Sequence, residues 1–190
     1  LENISTERIN SEFCKMIVAP DFCIQMVLYN DVLAQFIPEI RDMFGFNQNN
    51  PYHIDNVWNH TVHAMQYCDS DNLITCLAVF FHDIGKPYCY TEDENGVGHF
   101  KGHGKISADM TDKIMKRLRF DNNTREKVVQ IVHYHDATFE VGEKYVKRWL
   151  NRIGEEQFRR LLELRKADVS AQNPEYKEER LCKIQKIEEL

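Results

Sequence analysis

Apolar residues recur at spacings of three and four positions along most of this 190-residue chain. Such spacing places apolar side chains on one face of an α-helix, so it predicts helices over nearly every segment. Glycine and proline, which interrupt helices, number only eight and five. The predicted fold class is therefore all-α, a helical bundle.

Three short helices are predicted before residue 45. Ser5 is the expected N-cap of the first helix. The second starts at Pro20-Asp21 and has Val27 on its buried stripe, and the third covers residues 31–36. A polar, proline-containing loop over 45–55 then marks the best candidate for a domain boundary. We therefore predict a small helical extension, 1–45, and a main domain, 46–190.

The run from Leu73 to Phe81 is apolar almost throughout. A segment that is apolar on every face is typical of a central, buried helix. Asp71 is the predicted N-cap, and Gly85 followed by Pro87 predicts the end of the helix. His82 and Asp83 therefore lie at the end of the most buried element.

The remaining chain predicts further helices and one hairpin. Asp55 is the expected cap of a helix from Val57 to about Cys68, and Asn95-Gly96 predicts a short hairpin turn. The later helices are predicted at about 104–119, 123–135, 143–153, 155–170 and from Pro174 to the end.

Composition restricts the class of protein. Hydrophobic residues make up 43% and charged residues 28%, as in ordinary globular proteins, and no apolar run approaches the roughly 20 residues of a membrane span. A cytoplasmic protein is expected, and the start at Leu1 favours a fragment of a longer chain. The formal net charge of −6 argues against binding nucleic acid by bulk charge, although one basic cluster is present: Lys113, Lys116, Arg117 and Arg119.

The six cysteines form no C-x-x-C pair, which excludes a zinc-finger-type site and favours reduced thiols.

A buried His82-Asp83 pair needs compensation. An unpaired buried charge costs several kcal/mol, so a cation, a salt bridge or a polar cavity is required. Further imidazoles and carboxylates lie at helix ends or on apolar stripes: His60, His103, His135 and Asp168. Each alone is more often a hydrogen-bonded core residue than a ligand, but six groups from five segments indicate a metal centre. Imidazole and carboxylate without thiolate favour Mn, Fe, Co, Ni or Zn over Mg or Ca.

Five strings resemble a known family. They are S-T-E-R-I-x-x-E-F, N-Q-N-N-P-Y-H-x-x-x-V-W-x-H-T, F-F-H-D-I-G-K-P, H-F-K-G-H and A-D-x-x-A-Q. The chain resembles the HD superfamily of metal-dependent phosphohydrolases, and most closely the C-terminal half of bacterial tRNA nucleotidyltransferases, the CCA-adding enzymes. Residues 1–45 then resemble the tail of the RNA-binding domain, and 46–190 resemble the HD domain.

The resemblance implies roles for single residues. One metal would be held by His60, His82, Asp83 and Asp168, and a second by His103 and His135 with Asp83 as the bridge. Asp83 and Lys86 are the expected catalytic residues. Lys86 is placed to meet a phosphate, or alternatively caps the C-terminus of its helix. The other histidines are expected to be non-ligands (His53, His63), a weaker candidate (His133) or are unassigned (His99).

The implied function is hydrolysis of a phosphomonoester or a 2′,3′-cyclic phosphate, with one or two divalent transition metals. The expected substrate is a phosphoester such as a nucleotide or a tRNA 3′ end, with no membrane partner. The alternative is a non-catalytic module that binds tRNA or forms a homodimer. The nucleotidyltransferase signature is missing, because the only D-x-D string, 69–71, follows no glycine-rich element. Finally, Asp83→Ala is expected to remove metal at little cost to the metal-free protein, because a buried carboxylate without its cation is unfavourable.

Overall fold

The computed structural model describes residues 4–138 and 140–190. Within that part the helices are Thr6–Ile17 (α1), Phe22–Leu28 (α2), Asn30–Phe36 (α3), Val57–Gln66 (α4), Leu73–Phe81 (α5), His103–Arg117 (α6), Asn122–Tyr134 (α7), Glu143–Ile153 (α8), Glu155–Ser170 (α9) and Pro174–Glu188 (α10). Two 3-10 helices, Pro38–Met43 and Lys86–Tyr88, and two short strands, Thr91–Glu92 (β1) and Gly98–His99 (β2), complete the described elements. The all-α prediction is confirmed.

Helix α5 lies at the centre of the bundle, as its composition predicts. Every residue from Thr75 to Phe81 is buried, and α1, α4, α6, α7 and α9 all contact the helix. The Phe80 ring packs edge-on against Phe13 at 5.7 Å and contacts Phe22 at 6.0 Å between centroids. Because burial of one such side chain stabilises the fold by roughly 1.5–3 kcal/mol, this aromatic cluster anchors the N-terminal helices.

The N-terminal helices share the core of the bundle. Ser5 caps α1 as predicted, accepting a hydrogen bond from the Arg8 amide. Val27, predicted to be buried, is 58% exposed instead. Helix α2 buries Phe22 and Met26, four residues apart, and Val27 is rotated by about 100° from that stripe. The domain boundary near residue 45 stays a prediction.

Two predicted helix caps are wrong by one residue. Asn72, not Asp71, caps α5, because its side-chain oxygen accepts hydrogen bonds from the Ile74 and Thr75 amides at 3.0 and 3.3 Å. Asn56, not Asp55, caps α4 by accepting from the Asn59 amide at 2.9 Å. In both pairs either side chain can cap a helix, and the backbone geometry selects the second.

The remaining elements follow the predicted order. The β1–β2 hairpin forms around Asn95-Gly96, with Thr91 paired to His99, and Gly96 adopts the positive φ of +74° that its turn requires. Helix α10 buries Ile184 and Ile187. None of the described helices is long and apolar enough to cross a membrane.

Candidate metal centre

The imidazole of His82 is fixed with one nitrogen facing inward. His82 follows the last residue of α5 and is 1% exposed. Its Nδ1 lies 2.7 Å from the Val79 carbonyl oxygen, so Nδ1 must carry the proton and donate it. The other nitrogen, Nε2, is buried without a hydrogen-bond partner and lies 3.2 Å from Asp83 Oδ2. An inward ring nitrogen beside a carboxylate suits a cation, either a proton or a metal ion.

His103 and His135 repeat this arrangement. Their Nδ1 atoms donate to the carbonyl oxygens of Phe100 and Val132, each three residues earlier, at 2.8 and 2.6 Å. The two Nε2 atoms therefore face each other at 3.0 Å and lie 3.4 and 3.7 Å from Asp83 Oδ1. Metal-binding histidines commonly donate their second ring N–H to a carbonyl in this way. Three imidazole Nε2 atoms thus converge on one carboxylate.

His60 and Asp168 complete the cluster from α4 and α9. His60 Nε2 lies 3.1 Å from Asp168 Oδ1 and 3.5 Å from Asp83 Oδ2. Asp168 Oδ1 is also 3.9 Å from His82 Nε2. The structure thus brings all six predicted ligands together, although these residues are up to 108 positions apart in the chain.

The donor atoms form two groups that share Asp83. One contains His60, His82 and Asp83, and the other contains Asp83, His103 and His135; within each group the donor atoms lie within 4.8 Å of one another. Asp168 lies beside the first group. Two imidazoles and a shared carboxylate at each position suit divalent transition metals, and the partnerless Nε2 of His82 shows that the protein alone does not satisfy the cluster. The residues present therefore fit one or two divalent cations.

The pKa values of the two carboxyl groups favour charge despite burial. In the metal-free protein, burial raises the pKa of Asp83, but the charges of a protonated His82 and of Lys86 outweigh burial and hold that pKa well below its usual range. Burial lowers the pKa of His82, but Asp83 and Asp168 outweigh burial and raise it, so a metal would displace a proton from His82 Nε2. Burial likewise raises the pKa of Asp168, but the hydrogen bond with His60 outweighs burial and holds that pKa well below its usual range. Burial also lowers the pKa of His135, which keeps that imidazole neutral. Ionised carboxylates and a neutral imidazole are the forms that bind metal.

Lys86 is a buried counterion of Asp83. Its ammonium, 4% exposed, lies 2.7 Å from Asp83 Oδ2 and donates to Gln48 Oε1 at 2.8 Å. The contact with Asp83 is an ion pair. The expectation that metal-free protein would tolerate Asp83→Ala is therefore wrong in its premise, since the carboxylate already has a cation beside it.

The remaining histidines lie outside the two donor groups. His63 pairs with Asp55 at 2.8 Å and His99 with Asp93 at 3.1 Å, both at the surface. His133 is exposed. His53 is near the centre, 3.5 Å from the Lys86 ammonium, and burial aided by that charge lowers its pKa to about 2. His53 belongs to neither donor group, and its assignment as a non-ligand stays a prediction.

A cavity of about 350 Å³ opens onto the cluster. Asp83, His103, His135 and Asp168 form its floor, and four cationic side chains also line it: Lys86, Lys101, Arg165 and Arg180. Arg165 is held at the wall by its hydrogen bond to the His135 carbonyl oxygen at 2.8 Å. A larger cleft of about 850 Å³, lined by 17–20 and 65–71 among others, contains none of the six ligands. The smaller cavity combines an anion-attracting wall with the donor cluster.

Two amide side chains of the centre were not predicted. Gln48 is fully buried and accepts the hydrogen bond from Lys86. Gln172, 7% exposed, donates to Asp168 Oδ1 at 3.0 Å. The only signal in the sequence was the position of Gln172, one helical turn after Asp168 in the A-D-x-x-A-Q string.

Comparison with known proteins gives one family and a consistent set of relatives. The model of the HD domain matches residues 52–172. The CC-adding tRNA nucleotidyltransferase of Thermus thermophilus is 27% identical over 153 residues, which cover 77% of this chain and 35% of that protein. The A-adding tRNA nucleotidyltransferase of Deinococcus radiodurans is 27% identical over 154 residues, with the same coverage. The multifunctional CCA protein of Cupriavidus pinatubonensis is 30% identical over 128 residues, which cover 63% of this chain and 30% of that protein.

These similarities confirm the resemblance inferred from the five strings. The chain spans about a third of the length of the relatives it matches.

Proposed function

This chain belongs to the HD domain family, and from that membership we propose that it hydrolyses a terminal phosphomonoester or a 2′,3′-cyclic phosphate with the help of bound transition metals. The observation that carries the proposal is the convergence of the Nε2 atoms of His82, His103 and His135 on Asp83. All six ligand positions are filled by competent residues, which favours a working centre over a vestigial one.

The chain's own residues would do three things in this reaction. Asp83 and the imidazoles would hold the cations, which, when bound, supply Lewis acidity and lower the pKa of water. Arg165 and Lys101 on the cavity wall would bind and orient phosphate oxygens. The buried floor, with every predicted ligand at most 7% exposed, would exclude bulk water from the reacting phosphate.

The size of the cavity supports a small or terminal substrate. A volume of about 350 Å³ lies at the lower end of the range for small-molecule sites. It suits a nucleotide or the last residue of an RNA strand entering end-on, and it cannot enclose a folded RNA. The relatives are named for acting on tRNA, which supports the end of a tRNA strand as one such substrate.

Metal dependence provides the first test. We expect purified protein to contain a transition metal, and Mn, Co, Ni or Zn to restore phosphatase activity to chelated protein better than Mg, because neutral imidazoles prefer those ions. Elemental analysis beside a screen of phosphomonoesters and cyclic nucleotides measures both.

Two histidines at the C-terminal end of α7, His133 and His135, provide a matched pair of variants for this test. His135→Ala should lose metal and activity, whereas His133→Ala, on the exposed face, should retain both. Equal or better rescue by Mg, or equal behaviour of the two variants, would show that the imidazoles are not ligands.

A second candidate is a non-catalytic module for tRNA binding or dimerisation, of which only tRNA appears in the names of the relatives. The predicted basic cluster offers it little support, because three members are in ion pairs within the chain. Lys116 pairs with Asp112 at 2.6 Å, Arg117 makes two bonds to Glu39 at 2.7 Å, and Arg119 pairs with Glu7. Paired cations release few counterions from RNA.

We therefore expect weak RNA binding by this chain, with a dissociation constant above about 1 µM at physiological salt, in the range of non-specific binding. Titration of labelled tRNA at two salt concentrations measures it. Lys113→Glu, which changes the cluster member that has no ion-pair partner among the described residues, tests whether residual binding uses this surface. Submicromolar binding at physiological salt would instead favour the binding module.

A further inference from the structure

The amide of Gln172 links a metal ligand to the last helix. Gln172 lies just after α9, and its Nε2 donates to Asp168 Oδ1 at 3.0 Å. Its Oε1 accepts a hydrogen bond from Arg180 of α10. Asp168, Gln172 and Arg180 therefore form a chain of hydrogen bonds that runs from the floor of the cavity to its rim.

Arg180 determines which way the amide of Gln172 faces. A guanidinium can only donate, so the amide oxygen must face Arg180 and the NH₂ group must face Asp168. The opposite orientation would place an amide oxygen against a carboxylate oxygen, with no proton between them. Arg180 of α10 thus fixes the orientation of this buried amide.

Arg180 is itself held in place by the loop on the other side of the cavity. Its guanidinium lies 4.6 Å from the centre of the Tyr52 ring, a cation–π contact. The same loop is joined to the start of α10 by hydrogen bonds from Asn173 to the carbonyl oxygens of Pro51 and Tyr52, both at 2.9 Å. The cation–π contact thus holds the Arg180 guanidinium, and the hydrogen bonds of Asn173 hold the loop that carries Tyr52.

We propose that Gln172 and Arg180 are positioning residues that fix the Asp168 carboxylate for the cation it shares with His60 and His82, with Arg180 acting through Gln172. This inference rests on the metal centre of the proposed function. The atom that Gln172 contacts, Oδ1, is the carboxylate oxygen nearest His60 Nε2, at 3.1 Å. Without the amide, the carboxylate could rotate about its side-chain bonds and lose that alignment.

The test is a double-mutant cycle on metal affinity. We expect Gln172→Leu to weaken binding of one equivalent of metal by roughly 10–100-fold, the usual effect of losing a partner of a ligand. Arg180→Leu should weaken the same equivalent. The double variant should bind metal no more weakly than Gln172→Leu alone, because Arg180 acts only through the amide. Competition of Mn or Zn with a chromophoric chelator measures the affinities without any substrate.

Two controls separate positioning from general stability. Lys183→Leu removes a cation from α10 that pairs with Glu179 at the surface and should leave metal affinity unchanged. Melting temperatures in chelator show whether each variant folds. Because Arg180 is only partly buried, Arg180→Leu tests the positioning role even if Gln172→Leu fails to fold. Unchanged metal affinity in Arg180→Leu, or additive losses in the double variant, would overturn the proposal. If wild-type protein binds metal without hydrolysing phosphoesters, the positioning role stands and the proposed reaction fails.

Discussion

Asp83→Asn should remove bound metal and phosphoester hydrolysis together, with activity falling by at least about 10³-fold. The carboxylate is the one residue common to both donor groups, so its loss removes a ligand from each position. Metal ions contribute several kcal/mol to stabilising phosphoryl-transfer transition states, and each 1.4 kcal/mol or so is tenfold in rate. Metal content by elemental analysis and kcat/KM on the best substrate measure the two losses.

The metal-free protein should also be destabilised by Asp83→Asn. The Lys86 ammonium would remain buried beside Gln48, His53 and the Phe100 ring, without a carboxylate partner, and an uncompensated buried charge costs about 3–5 kcal/mol. The double variant Asp83→Asn with Lys86→Met removes both charges and should recover most of that stability while still binding no metal. Full metal content in the single variant, or no recovery in the double variant, would contradict this account of the centre.

Lys86→Met should destabilise the chelated protein by about 3–5 kcal/mol and the metal-bound protein much less. In chelator the substitution leaves Asp83 charged, buried and without its ammonium partner at 2.7 Å. Bound cations would compensate the same carboxylate, and their binding free energy adds to the stability of the folded state. Denaturant unfolding with metal and with chelator measures the difference.

Lys101→Met provides the matched control for Lys86→Met. Lys101 lines the same cavity but is exposed, so its loss should change the free energy of unfolding by no more than about 0.5 kcal/mol in either condition. If Lys86→Met costs the same stability with and without metal, Lys86 supports the fold by packing alone and is not a counterion of the metal-free centre.

Most of the fold follows from patterns that are local in sequence. The apolar run that becomes α5 predicts its burial without knowledge of its neighbours, and the hairpin needs only Asn95-Gly96. The errors occur where competing local choices are nearly equal in energy. Asp71 and Asn72 can both cap a helix. In a helix as short as α2, only the elements packed against it decide that Phe22 and Met26 are buried and Val27 is exposed.

The candidate site was predictable where chemistry marks its residues. Imidazoles and carboxylates at helix ends point to the donor set, and the structure brings all of them together. The amides of Gln48 and Gln172 carry no comparable mark, since a glutamine on a helix or in a polar loop is usually solvated. Their roles depend on partners 38 residues away for Gln48 and in the next helix for Gln172. Only the tertiary structure identifies those partners.

The spans between ligands impose an order on how the centre assembles during folding. His103 begins α6 and His135 follows the last residue of the adjacent helix α7, 32 residues later, whereas His60 and Asp168 are separated by 108 residues. Closing a longer loop costs more chain entropy, and a ribosome delivers α9 only after both ends of the shorter loop exist. The position built by Asp83, His103 and His135 can therefore form while the C-terminal helices are still being synthesised. The position that needs Asp168 can be completed only after α9 has been synthesised and has packed against α4 and α5.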